Sequence, residues 1–196
     1  MANKRLIAFG SLAAVALLLL IVVGSVVGAY NSLVVERTAV ETQSKQVDVQ
    51  YQRANRLLGP LGDIASQYLQ NESEVQTRVA ALRSGVCQTG TSLTEKDQCS
   101  VQVAETSNFV VKVVNERYPE LRSIELYKNV QTVTVDTENK ISTEKTRYND
   151  LAGAYNAHQQ KCCMPLLAAK LFGFHKAELI GYSDRPNQSG FGNQTL

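Results

Sequence analysis

The stretch DTENKISTEKTRYNDLAGAYN, residues 136–156, decides the fold of this chain. It contains no Pro and a single Gly, and its charged residues fall three or four positions apart, which is the spacing of neighbours on a helix surface. Asp136–Lys140 and Glu144–Arg147 are oppositely charged pairs at this spacing. The charge spacing and the absence of Pro predict a long polar helix. Because the stretch also has no His, no Cys and no Gly-rich turn, it contains no catalytic motif.

This polar stretch is predicted to lie within a helix from about Glu120 to Gln160 that packs one stripe into a helical bundle. The predicted core-facing stripe consists of Leu126, Val130, Val133, Thr137, Ile141, Tyr148, Leu151 and Tyr155. Thr137 and Glu144 interrupt its apolar character. The charges on the other faces are expected to be solvated, as on most surface helices.

A second helical seam precedes it in the chain. Five apolar residues recur every seven positions, namely Leu33, Val40, Val47, Ala54 and Leu61. This recurrence predicts supercoil-type packing along one helix, which continues from the apolar start of the chain because no Pro precedes Pro60. Gly59-Pro60 should kink this helix, and a helical face is then expected to continue to about Arg83.

The next segment combines a loop and a helix. Residues 84–98 are rich in Gly, Ser and Thr, which indicates a loop. A helix is expected from about Ser100 to Arg117, where Pro119 ends it and begins the following helix.

The C-terminal segment is predicted to be short and amphipathic. Pro165 interrupts the long helix, and residues 166–182 predict a short amphipathic helix with a weak point at Gly173. Residues 183–196 have the composition of a flexible tail.

An uninterrupted apolar stretch, Leu6–Ala29, stands near the start of the chain. As a helix it would extend over roughly 36 Å, enough to cross a hydrocarbon core of about 30 Å. A cleaved signal peptide is the alternative, since Val27-Gly28-Ala29 resembles a cleavage site, but its apolar region would be about 7–15 residues long. The length favours a retained signal-anchor helix over residues 6–29.

Charges near this helix predict its orientation. Lys4 and Arg5 precede it, whereas Arg37 on the other side is accompanied by Glu36. The positive-inside rule therefore predicts that residues 1–5 form a cytoplasmic stub and that residues 30–182 form an extracytoplasmic domain of a single-pass membrane protein. Without Lys4 and Arg5 the chain carries 18 basic and 18 acidic residues, and this balance argues against nucleic acid as a partner.

The four Cys residues point to an oxidising compartment. Four Cys allow three pairings. Cys87 and Cys99 flank a Gly-containing loop between two predicted helices, which is suited to a short-range bridge, and we predict that they are joined. Cys162 and Cys163 are adjacent, so they are either free or paired across subunits.

No catalytic, cofactor or metal site is predicted. His158, Cys162, Cys163 and His175 are the zinc-ligand candidates, but adjacent Cys residues are poorly placed to bind one ion and a helix break separates the two His residues. Neither His lies in a nucleophile motif. Asn71, Asn187 and Asn193 match the Asn-x-Ser/Thr pattern of glycan acceptors.

The order of several motifs resembles the LemA family of membrane-anchored proteins. The motifs are YNSLV (30–34), VDVQYQRANRLLGPL (47–61), YPELRS (118–123), DTENKI (136–141), RYNDLAGAYN (147–156) and LFGF (171–174). The resemblance implies one N-terminal transmembrane helix followed by an extracytoplasmic, antiparallel up-and-down bundle of long helices. It implies no catalytic residue. The chain departs from the family pattern in its cysteine-bounded loop and in KCCMP, residues 161–165.

The expected function is that of a non-enzymatic, membrane-tethered scaffold that assembles with itself; a sensor or binding module for an envelope ligand or partner protein is the alternative.

Gly24 and Gly28 form a small-xxx-small pair, which lets two helices approach closely in lipid. The row of apolar residues that recur every seven positions begins at Leu33, only five residues after Gly28. We therefore predict parallel homo-oligomers with contacts at Gly24, Gly28, Leu33, Val40 and Val47, and with the lipid bilayer as the other partner.

Overall fold

A computed structural model describes residues 2–85, 87, 92–161 and 163–181, with side chains from Leu12 onward. Every regular element in these ranges is helical, and the helices pack antiparallel, which confirms the predicted all-α class. The elements are α1 (Ala2–Asn55), α2 (Leu58–Tyr68), α3 (Ser73–Ser84), α4 (Leu93–Arg117), a 3-10 helix (Pro119–Ser123), α5 (Glu125–Gln159) and α6 (Met164–Leu171). The predicted tail, residues 183–196, lies outside the described residues.

The described residues divide into two compact units. The anchor unit takes those of Met1–Glu41 and Asp150–Glu178, and the core unit takes those of Thr42–Asn149 and Leu179–Leu196. In the core unit, α2, α3, α4 and the start of α5 enclose an apolar cluster. Its fully buried members include Leu61, Leu69, Val75, Val110 and Val114.

The α1 helix has two chemically different parts. Its large apolar side chains between Leu12 and Val27 are exposed, apart from the half-buried Val22 and Val26. By contrast, the four members of the seven-residue row that lie on α1, from Leu33 to Ala54, are buried. Among the described helices, α1 is the one that is long and apolar enough, by length and composition, to cross a membrane. Its apolar stretch is not the core of the described chain, because none of it is buried there.

The predicted kink at Gly59-Pro60 corresponds to a break two residues earlier. The α1 helix ends at Asn55, and α2 begins at Leu58 with Pro60 in its first turn. Pro is tolerated in a first turn because its missing N–H group would have no partner within the helix.

The predicted continuous face from Leu61 to Arg83 is wrong, since a turn separates α2 from α3. The Gln76 side-chain Nε2 donates to the carbonyl oxygens of Ala65 at 2.7 Å and Leu69 at 3.2 Å. These carbonyls lie at the end of α2, where intrahelical donors run out. The polar cap on α2 therefore comes from the helix that follows it.

The predicted loop over residues 84–98 is too long, because α4 begins at Leu93. The Glu95 backbone N–H donates to Ser92 Oγ at 3.1 Å, and the Ser92 N–H donates to Glu95 Oε2 at 3.0 Å. These two bonds form a capping box, and its Ser-x-x-Glu pattern is visible in the sequence.

The boundaries of the last two helices also differ from the prediction. The 3-10 helix that starts at Pro119 delays α5 to Glu125. The predicted amphipathic helix over residues 166–182 stops at Leu171. Gly173 adopts a φ of 69°, and the Phe174 N–H donates to the Ala169 carbonyl at 2.9 Å, as in a Schellman motif.

Glu72 links the start of α3 to the end of α4. Arg117 Nη1 donates to Glu72 Oε2 at 2.7 Å and Tyr118 Oη donates to Glu72 Oε1 at 3.0 Å. Both bonds lower the pKa of Glu72 below its usual value, and the bond from Arg117 has the larger effect. Because folding lowers this pKa, the ionised Glu72 carboxylate stabilises the fold above the unfolded-state pKa, and this stabilisation is lost as pH falls through the folded-state pKa.

We therefore expect Glu72→Gln to lower the free energy of unfolding at pH 7, and this difference from wild type to be smaller at about pH 3, below the ordinary Glu pKa of about 4.3, and to vanish only below the folded-state pKa. Urea unfolding of the full-length protein in mild detergent at the two pH values would measure it. Glu105→Gln, on the exposed face of α4, is the control and should change neither value. An equal loss at both pH values would show that the charge of Glu72 is not the cause.

Candidate functional site: the inward-facing polar residues of α5

The side of α5 that faces the protein interior is more polar than predicted. Five residues of one row recur every seven positions and are buried, namely Tyr127, Thr134, Ile141, Tyr148 and Tyr155. The hydroxyl oxygens of Thr134 and Thr137 are buried without a hydrogen-bond partner among the described residues. Leu151, predicted to face the core, is exposed, and Ala152 is buried instead.

The core unit contains a buried ionic cluster formed by one residue from each of three helices. Lys145 on α5 donates to both carboxylate oxygens of Asp97 on α4, at 2.7 and 2.8 Å. Tyr51 on α1 donates its hydroxyl to Asp97 Oδ1 at 3.0 Å. Asp97 is 8% exposed. The carboxylate thus carries three charge-assisted or polar bonds that join α1, α4 and α5.

Tyr51 in this cluster is held in its neutral form. Burial is the largest cause that raises the pKa of Tyr51 well above its usual range, and the nearby Asp97 carboxylate raises it further. A phenol that stays protonated and donates to a carboxylate already paired with Lys145 is a poor base or nucleophile. The cluster is therefore built to join helices.

Glycine is required where the chain passes Lys145. Gly181 has a φ of 72°, and a Cβ there would lie 3.0 Å from Lys145 Nζ. A side chain at this position would be strained by the backbone conformation and would displace the end of the Lys145 side chain.

Two more polar contacts connect α1 to its neighbours in the core unit. Lys96 Nζ lies 2.5 Å from Asp48 Oδ1, and Gln43 Nε2 donates to Glu144 Oε2 at 2.6 Å. Glu144 also pairs with Arg147 at 3.1 Å, and Asp136 pairs with Lys140 at 2.7 Å, as predicted. The expectation that the charges of α5 are all solvated is wrong for Glu144 and Lys145, because each has a partner on another helix.

The anchor unit contains a smaller polar group. His158 Nδ1 lies 2.7 Å from Glu36 Oε1, and both side chains are partly buried. Burial raises the pKa of Tyr155 above its usual value. Tyr155 Oη and Glu36 Oε2 are buried without a hydrogen-bond partner among the described residues. Among the described residues of the anchor unit, this group leaves hydrogen-bonding capacity for a water or a small polar ligand.

Asparagine side chains of α5 hold the chain that follows α6. In the anchor unit, Asn156 both donates to and accepts from the backbone of Ala177, at 2.8 Å each, and Gln159 donates to the His175 carbonyl at 3.1 Å. In the core unit, Asn149 makes the same paired bonds to Ile180 at 3.0 Å. Each Asn amide thus acts as a peptide group would in a neighbouring strand.

The predicted disulfide is present, since Cys87 and Cys99 are bonded. Residues 88–91 of the loop between them, and residue 86 before Cys87, lie outside the described residues. Cys99 is buried among the apolar residues of the core unit. The bridge therefore links the segment after α3 to the first turns of α4.

The predicted oligomer contacts fall into two groups. Gly24 and Gly28 are exposed, and a Cβ at either position would meet no atom within 4 Å. Leu33, Val40 and Val47 are buried within the chain. In this conformation the surface of these three side chains is used by packing within the chain. Contacts between copies at all five positions stay a prediction, as does self-association itself.

The zinc-ligand candidates take different roles or are not described. His158 is paired with Glu36, the carbonyl of His175 accepts from Gln159, and Cys162 lies outside the described residues. Cys163 is exposed and has a φ of 71°. The described part of the chain brings no three His, Cys, Asp or Glu side chains together in a metal-binding group.

The chain is similar to two curated proteins over a short segment and to one protein family over most of its length. Magnetosome protein MamQ 1 and Magnetosome protein MamQ 2 of Paramagnetospirillum magneticum strain AMB-1 are each 37% identical to this chain over 65 residues, 33% of this chain and 24% of theirs. The chain thus spans about a quarter of the length of these relatives. No solved structure matches the chain. A family model matches residues 43–189, about three quarters of the sequence, and the chain therefore belongs to the LemA family.

Proposed function

We propose that this protein is a membrane-anchored, non-enzymatic helical scaffold whose copies associate through the apolar part of α1. The observation that carries the proposal is the division of α1 into an exposed apolar part, Leu12–Val27, and a following part that is buried in the protein. An apolar helix surface of this length is stable in a bilayer and not in water. One helix thus serves as anchor and as a member of the helical fold.

The polar chemistry of the described residues supports a structural role. Asp97 is neutralised by Lys145, and Tyr51 is kept protonated. Catalytic groups need a titrating side chain within reach of a substrate, whereas these groups are used in contacts between helices. A scaffold whose helices must keep their register is consistent with such a buried ionic cluster.

Two observations support an extracytoplasmic position of the domain. Lys4 and Arg5 stand before the apolar stretch, which favours the cytoplasm for that end. The Cys87–Cys99 disulfide is typical of an oxidising compartment.

Self-association is proposed to use Gly24 and Gly28, which lie on one open face of α1. With a single Cys in place of Gly28, we expect an oxidant to give a dimer band in membranes at native expression, because small-xxx-small faces bring helix backbones close together. The background carries Cys162→Ser and Cys163→Ser and keeps the Cys87–Cys99 bridge. Val26→Cys, about 160° away around the helix, is the matched control.

Dimers at Gly28→Cys and few at Val26→Cys would support the scaffold. Equal yields at both positions would indicate random collision, and no dimers at either would end the self-assembly proposal. In both of these cases a sensor or binding module for an envelope ligand or partner protein replaces it.

A further inference from the structure

The α6 helix carries its large apolar side chains on the outside. Ala168 and Ala169 are buried, whereas Leu166, Leu167, Leu171 and Phe172 are exposed, Leu171 by 67%. A helix packed on a protein in water normally shows the reverse order, with Leu inside. The exposed Leu residues flank Lys170, so α6 presents an apolar surface with a basic residue in its middle.

An aromatic cluster fixes this surface beside the end of the apolar part of α1. The Tyr30 ring lies 4.7 Å from the Phe172 ring and 5.7 Å from the Phe174 ring, measured between centroids. Tyr30 directly follows the apolar stretch that ends at Ala29. Tyr residues are enriched where membrane helices cross from hydrocarbon to headgroups. All these residues belong to the anchor unit.

The charges around α6 favour the same location. Lys161, Lys170 and Lys176 are exposed, and no Asp or Glu occurs from residue 161 to residue 177. Basic residues beside an apolar helix surface bind anionic headgroups.

We infer that α6 and the LFGF turn lie in the headgroup boundary of the bilayer that α1 spans, with Leu167, Leu171 and Phe172 inserted. The occupant of this apolar surface is lipid. The inference rests on the membrane anchoring in the proposed function and adds a second membrane contact to it. This contact would hold the anchor unit against the bilayer and limit its rotation about α1.

The test uses full-length protein in vesicles of phosphatidylethanolamine and phosphatidylglycerol. Single-Cys variants with Cys162→Ser and Cys163→Ser carry a polarity-sensitive fluorophore. Spin labels on the lipid acyl chains act as quenchers, placed near the headgroup for the label at position 171 and deep in the acyl chain for the label at position 15. Leu171→Cys reports on α6 and Val15→Cys reports on the apolar part of α1. Thr38→Cys is the matched control, since it lies about 12 Å beyond Tyr30 along α1.

We expect blue-shifted, strongly quenched emission from the label at Leu171, and red-shifted, unquenched emission from the label at Thr38. Quenching at Val15 without quenching at Leu171 would overturn the α6 inference while anchoring stands. Blue-shifted emission at Leu171 that lipid spin labels do not quench would show that protein covers α6, which also overturns it. A Val15 label that is not quenched would instead contradict the anchoring itself.

Discussion

Replacing Asp97 with Asn should lower the free energy of unfolding by about 3 kcal/mol, near the lower end of the range for breaking a buried ion pair. The variant keeps the size of the side chain but leaves the charge of Lys145 without a counter-ion. The lower end applies because the Lys145 side chain is 23% exposed, so water can solvate part of its charge. Urea unfolding of the full-length protein in detergent measures the change.

A double-mutant cycle separates the lost pair from the uncompensated charge. Adding Lys145→Met to Asp97→Asn should recover most of the loss, because the double variant leaves no unpaired charge. Tyr51→Phe is the control and should cost about 1 kcal/mol, the usual net value of one hydrogen bond. If Asp97→Asn alone leaves the free energy of unfolding unchanged, the cluster does not stabilise the packing of the three helices in the way described.

Loss of the Cys87–Cys99 bridge should also lower the free energy of unfolding, by roughly 3 kcal/mol in the chain-entropy model. The bonded residues are 12 positions apart, so the bridge restricts a short loop of the unfolded chain. The comparison is between oxidised protein, reduced protein and the variant Cys87→Ala/Cys99→Ala. All three carry Cys162→Ser and Cys163→Ser, so that no other bond responds to the reductant.

Reduction and double substitution should give the same loss in this comparison. The reductant should then have no effect on the double variant, which is the internal control. A larger loss in the double variant than on reduction would measure the packing of the Cys99 side chain. No loss in either form would show that the bridge does not stabilise the fold.

The helices were predictable because their signals are local. The row from Leu33 to Leu61 repeats every seven residues, which predicted helical packing along it, and all five of its members are buried. The start of α4 at Leu93 was also encoded locally, in Ser92 and Glu95, although the Gly and Ser content of the preceding loop obscured it. The Cys87–Cys99 pairing followed from the short loop between two helices.

The inward charges were not predictable from spacing along one helix. Lys145 follows Glu144 in a charged run that fits a solvated face, and its partner Asp97 lies 48 residues earlier in the chain. The position of α6 was hidden for a related reason. The sequence shows that Leu171 and Ala168 are apolar, but only the packing shows that Ala168 is inside and Leu171 outside.

The paired hydrogen bonds of Asn149 and Asn156 limit which residues can stand at these two positions. Asn alone places a donor and an acceptor on two separate atoms of so short a side chain, as a peptide group does. A Ser hydroxyl has both functions on one atom, Asp has no donor, and Gln places both groups one methylene further from the helix. A buried apolar position such as Ile141 tolerates Leu or Val at modest cost. Positions 149 and 156, although only half-buried, therefore have the narrower range of accepted substitutions.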